Sequence, residues 1–360
     1  MLADLEELVT CESYSADHAA VARSARTVAE QGTRLLGDHP ETLVIDGVTH
    51  VRWTFGTPRV LLLGHHDTVW PIGSLRTHPW SVENGIARGP GVFDMKAGLV
   101  QMFHALASLP SLDGVCVLVT GDEEVGSDAS RPLIEDLARQ CSATFVLEPS
   151  APGGALKTGR KGVSLYDVTV HGRAAHSGLE PEKGINAATE LAHQILALSR
   201  IADTVTARTG PGTTVTPTLM SAGTASNTVP ARADLSVDVR VPSAAAQDAV
   251  DQLIRTLRPE HPDARLNIAG GPNRPPLAPD ASHGLFALAG DIAVRLGLDP
   301  LRQAAVGGAS DGNYTAGVGC PTLDGLGAVG DGAHADHEHV VTATMPARAR
   351  LLAHLVGAMQ

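Results

Sequence analysis

The chain has 360 residues, 43% of them hydrophobic, and a formal net charge of −12. This size and apolar content suit a globular protein with one large domain or two smaller ones. The acidic balance argues against nucleic acid or an anionic membrane as partner, while small anionic substrates stay open because a local arginine cluster can override the global field.

Residues 1–36 read as two helices, with Leu2, Leu5, Leu8 and Val9 at helical spacing. The N-terminus lacks the basic and apolar parts of a signal peptide, and no apolar run approaches the ~20 residues of a membrane span. The cysteines Cys11, Cys116, Cys141 and Cys320 are scattered without a CxxC pair. That pattern fits reduced thiols, and a cytoplasmic location is expected. Residues 59–64 form a near-continuous apolar run, as a strand buried on both faces should. Residues 95–109 read as a helix, 115–120 as a second buried strand, 131–140 as a helix and 144–147 as a third strand. This rhythm predicts an α/β fold with a mainly parallel sheet covered by helices.

The texture changes near residue 162. Residues 164–171, 213–221 and 233–241 alternate apolar and polar side chains, as strands with one wet face do. Helices are expected at 183–199 and 244–257, and a last strand at 264–269. Strand, helix, two strands, helix, strand makes a compact α+β, ferredoxin-like unit. Residues 270–276 read as a linker. Beyond it a helix at 283–297, a strand at 321–326 and a helix from 344 return to the first texture. The expected organisation is a domain formed by 1–161 and 274–360, with 162–273 inserted.

Five segments carry imidazoles and carboxylates just past strands or at sharp turns: 64–69 (GHHDTV), 89–98 (GPGVFDMKAG), 121–127 (GDEEVGS), 147–150 (LEPS) and 332–338 (GAHADHE). In a parallel sheet, ligand crevices lie at the carboxyl ends of the strands, so topology brings three of the five together. A set with imidazole and carboxylate but no thiolate suits zinc, cobalt or manganese. Two histidines and three carboxylates are too many for one tetrahedral ion that keeps a place for water. They suit two ions sharing a bridging carboxylate. The adjacent pair Glu123-Glu124 can supply both a ligand and a proton acceptor.

These five motifs, in this order and at these intervals, resemble the dizinc aminoacylase/carboxypeptidase family. That family includes glutamate carboxypeptidase, acetylornithine deacetylase, succinyl-diaminopimelate desuccinylase and bacterial dipeptidases. The resemblance covers nearly the whole chain and implies two Zn2+ per chain, with Co2+ or Mn2+ as substitutes. It implies that His65 and Glu148 share one ion, that His334 and Glu124 share the other, and that Asp94 bridges both. It makes Glu123 the general base and Asp67 the carboxylate that orients His65. The family spacing selects His65 over His66, and His334 over His337 and His339, with Glu338 as a structural companion.

In the inserted domain, residues 170–178 resemble the family's lid histidine motif. The resemblance implies a homodimer through this domain, with His176 stabilising an oxyanion in the partner's site and Asn227 binding substrate. Arg240 and Arg274 align with positions near a substrate carboxylate, for which the planar guanidinium fork is well matched. Gly308 lies in a Gly-rich turn whose backbone N–H groups face substrate in the family. The implied substrate is a small peptide or an N-acyl amino acid. The stretch 307–327 looks most like the glutamate carboxypeptidase branch, which removes an acidic C-terminal residue. An N-acyl-amino-acid deacylase, or a chain that keeps the fold as a binding scaffold, are the other readings.

Overall fold

The 60–65 strand shows why the centre of this protein is a sheet. Its residues alternate between two cores. In the computed structural model, which describes residues 1–360, Val60 and Leu62 join one buried cluster while Leu61 and Leu63 join another. Val115–Thr120 does the same, with Val115, Val117 and Val119 on one face and Cys116 and Leu118 on the other. A strand covered on both faces needs no polar alternation, which accounts for the unbroken apolar runs.

The chain divides into two units, Met1–Arg160 with Leu277–Gln360, and Lys161–Pro276. The first holds a six-stranded sheet in the order Glu41–Ile45, Val48–Thr54, Val115–Thr120, Val60–His65, Ala143–Val146, Thr322–Leu323. The last four strands run parallel, and the first two form an antiparallel hairpin at the edge. The sheet is therefore mainly parallel, as expected, with an antiparallel hairpin added at one edge. The hairpin turns at Asp46-Gly47, both with positive φ, as a two-residue turn with this sequence does.

Register then sets the site. His65 lies opposite Thr120, and Leu63 opposite both Leu118 and Val146. The three strands thus end level, and the residues that follow each emerge at one edge. A second, four-stranded antiparallel sheet pairs His339–Val341 with Ile86–Arg88 and also includes Gly330–Asp331 and Ser81–Glu83. It carries the 332–338 loop alongside the 89–94 turn.

Several boundaries differ from expectation. Helix Ala97–Ala107 starts late because Asp94 and Met95 have non-helical φ/ψ, and the Asp94–Met95 peptide is cis. Thr322–Leu323 is a strand of only two residues.

Lys161–Pro276 is a β-α-β-β-α-β unit. Strands Gly162–His171, Thr214–Ala222, Arg232–Val241 and Arg265–Arg274 make an antiparallel sheet in the order second, third, first, fourth. Helices Ala187–Thr209 and Ala244–Arg255 cover one face through Leu191, Leu198, Ile201, Val205, Val250 and Ile254. Residues 270–274 are not a linker. They finish the last strand, with Arg274 opposite Val163. The glycines and proline there hid a strand that bulges at Pro272–Arg274. No helix is long and apolar enough to cross a membrane.

Candidate metal centre and active site

The edge where the three parallel strands end gathers His65, Asp94, Glu123, Glu124, Glu148 and His334. His65 is the last residue of its strand and almost fully buried. Its Nδ1 lies 3.0 Å from the Asp67 carbonyl. A carbonyl only accepts, so Nδ1 carries a proton, and in the neutral imidazole Nε2 is the nitrogen left with a lone pair. That Nε2 is 3.3 Å from Asp94 Oδ1 and 3.5 Å from Glu148 Oε1. His66 points the other way, with Nε2 3.1 Å from the Thr49 carbonyl, and burial lowers its pKa to about 4.

The second histidine mirrors the first. His334 Nε2 is 3.1 Å from Glu124 Oε2 and 3.4 Å from Asp94 Oδ2. Asp94 thus turns one oxygen to each imidazole. His334 reaches this place with φ 64°. A non-glycine residue there costs about 1–3 kcal/mol and persists where its surroundings enforce it.

Two buried carboxylates hold the loops. Asp67 accepts from Ser15 Oγ at 2.7 Å and from the backbone N–H of Glu123 and of Glu124 at 3.2 Å each, which fixes the Glu-Glu pair. Glu338 accepts from the N–H of Gly91, Phe93 and Asp94, and from Trp70 Nε1. Four donors offset part of the desolvation of that carboxylate, and burial still raises its pKa. The 89–94 turn is held beside the 332–338 loop as a result. Gly98 completes the placement, because a Cβ there would lie 2.1 Å from the Leu147 carbonyl, one residue before Glu148.

The set fits a divalent cation. His65 Nε2 and Asp94 Oδ1 are buried without a hydrogen-bond partner, an arrangement that is costly unless something else satisfies them. Donor atoms ~2.0–2.1 Å from a tetrahedral zinc lie ~3.3–3.4 Å from one another. The four histidine–carboxylate separations here run from 3.1 to 3.5 Å. Ligand atoms of His65, Asp94 and Glu124 lie within 4.8 Å of one another, as do those of His65, Glu123 and Glu148.

The electrostatics agree. Burial opposes charge on His65, but Asp67, Asp94 and Glu148 outweigh it and hold the imidazole well above its usual pKa. Hydrogen bonding to Asp94 and Glu124 raises His334 to about 10. Burial, reinforced by the Asp94 charge, lifts Glu124 to about 7 although His334 pulls it down. So many carboxylates in one place attract protons when no other cation is near, and a metal ion entering the site displaces those protons.

The sequence profile of "Peptidase family M20/M25/M40" matches residues 61–358. The chain belongs to this family. It is 30% identical over 377 residues to carboxypeptidase G2 of Pseudomonas sp. (strain RS-16), covering 98% of this chain and 87% of that one. It is also 30% identical over 308 residues to succinyl-diaminopimelate desuccinylase of Granulibacter bethesdensis, covering 79% and 78%. Among solved structures, an M20 family metallo-carboxypeptidase of Sulfolobus solfataricus superposes with a TM-score of 0.76 at 17% identity, over 99% of this chain and 98% of that one. A dinuclear metal-binding M20 peptidase of Bacillus subtilis gives 0.61 at 14% identity, over 99% and 97%. The M20 chain described here is therefore a hydrolase, with the family's α/β fold.

The other candidate residues divide by unit. Gly308 is exposed, its carbonyl accepts from Arg160 Nη1 at 3.1 Å, and a Cβ there would meet nothing within 4 Å. In the inserted unit, the His176 and Asn227 loops are joined. Ser177 N–H donates to the Asn227 carbonyl at 3.0 Å, and His176 bridges to Thr228. His176 Nδ1 accepts from Gly178 and Leu179 N–H, so its exposed Nε2 carries the proton as a donor. Arg240 is bound to Asp238 two residues away on the same strand face, at 2.8–3.2 Å. Its guanidinium is committed to that carboxylate. Arg274 is 8% exposed at the end of its strand.

Sequence reading missed Arg160, Asp324 and Ser15. Arg160 and Asp324 are each buried in contact with the other. Asp324 offered one signal, a charged residue directly after the buried strand Thr322–Leu323, whereas Arg160 ends the polar segment Leu156-Lys157-Thr158-Gly159-Arg160 and offered none.

Proposed function

We propose that this M20 enzyme is a two-zinc amide hydrolase that releases an acidic C-terminal amino acid from a small peptide or N-acyl conjugate. The observation that carries the two-metal reading is the Asp94 carboxylate, divided between His65 and His334. In this reading, His65, Asp94 and Glu148 hold one zinc, and His334, Asp94 and Glu124 hold the other, with cobalt or manganese as substitutes. The carboxypeptidase reading draws support from the similarity to carboxypeptidase G2 across almost the full chain. The match to the desuccinylase favours the alternative, an N-acyl-amino-acid deacylase.

When bound, the ions supply an activated water and polarise the amide carbonyl. Glu123 is 7% exposed and near His65 and Glu148. It accepts the proton of the attacking water and returns it to the departing amine. Asp67 fixes Glu123 through the backbone and holds His65 in the tautomer that exposes Nε2. His176 donates its Nε2–H to the developing oxyanion, from the partner subunit of a homodimer built on Lys161–Pro276. Asn227 hydrogen-bonds the substrate, the N–H groups near Gly308 line the site, and Arg274 meets the substrate carboxylate. Arg240, whose guanidinium is paired with Asp238, is given no substrate contact in this reading. The four unpaired cysteines suit a reducing cytoplasm.

The test is a hydrolysis screen of zinc- or cobalt-loaded protein against C-terminal amino-acid and N-acyl libraries. Release confined to C-terminal glutamate or aspartate is the expected result. Release of acyl groups from neutral or basic amino acids would establish the deacylase instead.

A further inference from the structure

We propose that Arg160 is a positioning residue that restricts Glu148 to one ligating oxygen and ties it to the 307–309 turn. The inference rests on the reading of Glu148 as a metal ligand. Arg160 is the last residue of the strand Leu156–Arg160, and its side chain is 3% exposed. All five of its N–H groups are engaged. Nε donates to Asp324 Oδ2 at 2.6 Å, and Nη2 donates to Glu148 Oε2 at 3.0 Å and Asp324 Oδ1 at 3.2 Å. Nη1 donates to the carbonyls of Gly308 and Ala309 at 3.1 and 3.2 Å.

The two oxygens of Glu148 therefore have different duties. Oε1 faces His65 Nε2, while Oε2 is claimed by Arg160, with Lys157 Nζ 3.8 Å away. Only Oε1 is left for an ion. Asp324 also accepts from Ser310 Oγ at 2.7 Å. One rigid network thus joins the carboxylate beside His65 to the turn at Gly308. Such outer contacts orient ligands and tune their donor strength. Lysine keeps the charge but has three donors and no fork, so Arg160→Lys separates positioning from Coulombic effects.

The experiment is chelator competition on zinc- and cobalt-loaded wild type and Arg160→Lys, with thermal melting as the check on folding. Wild type releases two ions per chain. In Arg160→Lys one ion binds about 10–100-fold more weakly, and the other is unchanged. The visible spectrum of the weakened cobalt changes as Glu148 becomes free to use both oxygens. Asp324→Asn, which removes one anchor of Arg160 and keeps the Arg160–Glu148 pair, weakens the same ion by less, and it carries the test if Arg160→Lys does not fold. A folded variant that holds both ions within threefold of wild type, or loses both alike, overturns the inference. A wild-type chain that binds fewer than two ions overturns the two-metal reading itself, and the inference falls with it.

Discussion

Glu123→Gln retains both metal ions and loses turnover, with kcat reduced about 10²–10⁴-fold. Glutamine has the size of glutamate and cannot accept the proton of the attacking water. The backbone of residue 123 stays in place because its N–H is held by Asp67 Oδ1. A thousandfold loss corresponds to about 4 kcal/mol of transition-state stabilisation, more than an isosteric change at a spectator position gives. The measurement is kcat together with metal content. It also separates two roles for Glu123, whose carboxylate lies within 4.8 Å of the ligand atoms of His65 and Glu148. Were Glu123 a ligand, the glutamine variant would lose an ion. A loss of activity under tenfold would assign the base elsewhere.

Asp94→Ala empties both positions, whereas His65→Ala and His334→Ala each empty one. The difference follows from geometry, since each Asp94 oxygen faces a different imidazole at 3.3–3.4 Å. Metal binding to the folded state alone also stabilises it, by about 2.7 kcal/mol at a free concentration a hundred times the Kd. Wild-type Tm therefore rises with added zinc, and Asp94→Ala shows no such rise. Metal analysis after gel filtration gives the stoichiometry, and melting with and without zinc gives the linkage. An Asp94→Ala protein that keeps one tightly held ion would show that the carboxylate does not bridge.

The parts legible in the sequence are those where one local rule dominates. Val115–Thr120 is bounded as expected because an unbroken apolar run ends at a Gly-Asp turn. The helix Arg131–Gln140 was equally plain from its periodicity. The edge hairpin was overlooked although Asp46-Gly47 is a strong turn signal, because Glu41–Ile45 is too exposed to stand out. The helix read from residue 95 starts only at Ala97, after a turn in which Glu338 captures the N–H groups of Phe93 and Asp94 from 244 or more residues away. No local pattern contains that contact.

The site shows the same division. That His65, Asp94, Glu123, Glu124, Glu148 and His334 gather at one edge was legible because each follows a strand or opens a helix within a recognisable segment. Arg240 could have been weighed down by Asp238, since residues two apart in a strand share a face. Arg160 carried no motif, and its importance lies in partners at positions 148, 308, 309 and 324 that only the fold assembles.

Anomalous diffraction at the zinc edge from crystals of metal-replete protein tests the two-ion claim most directly. Two peaks per chain are predicted, ~3.5–4 Å apart. One should lie against His65 and Glu148 and the other against His334 and Glu124, with the Asp94 carboxylate between them. A single peak, or peaks remote from Asp94, would contradict it.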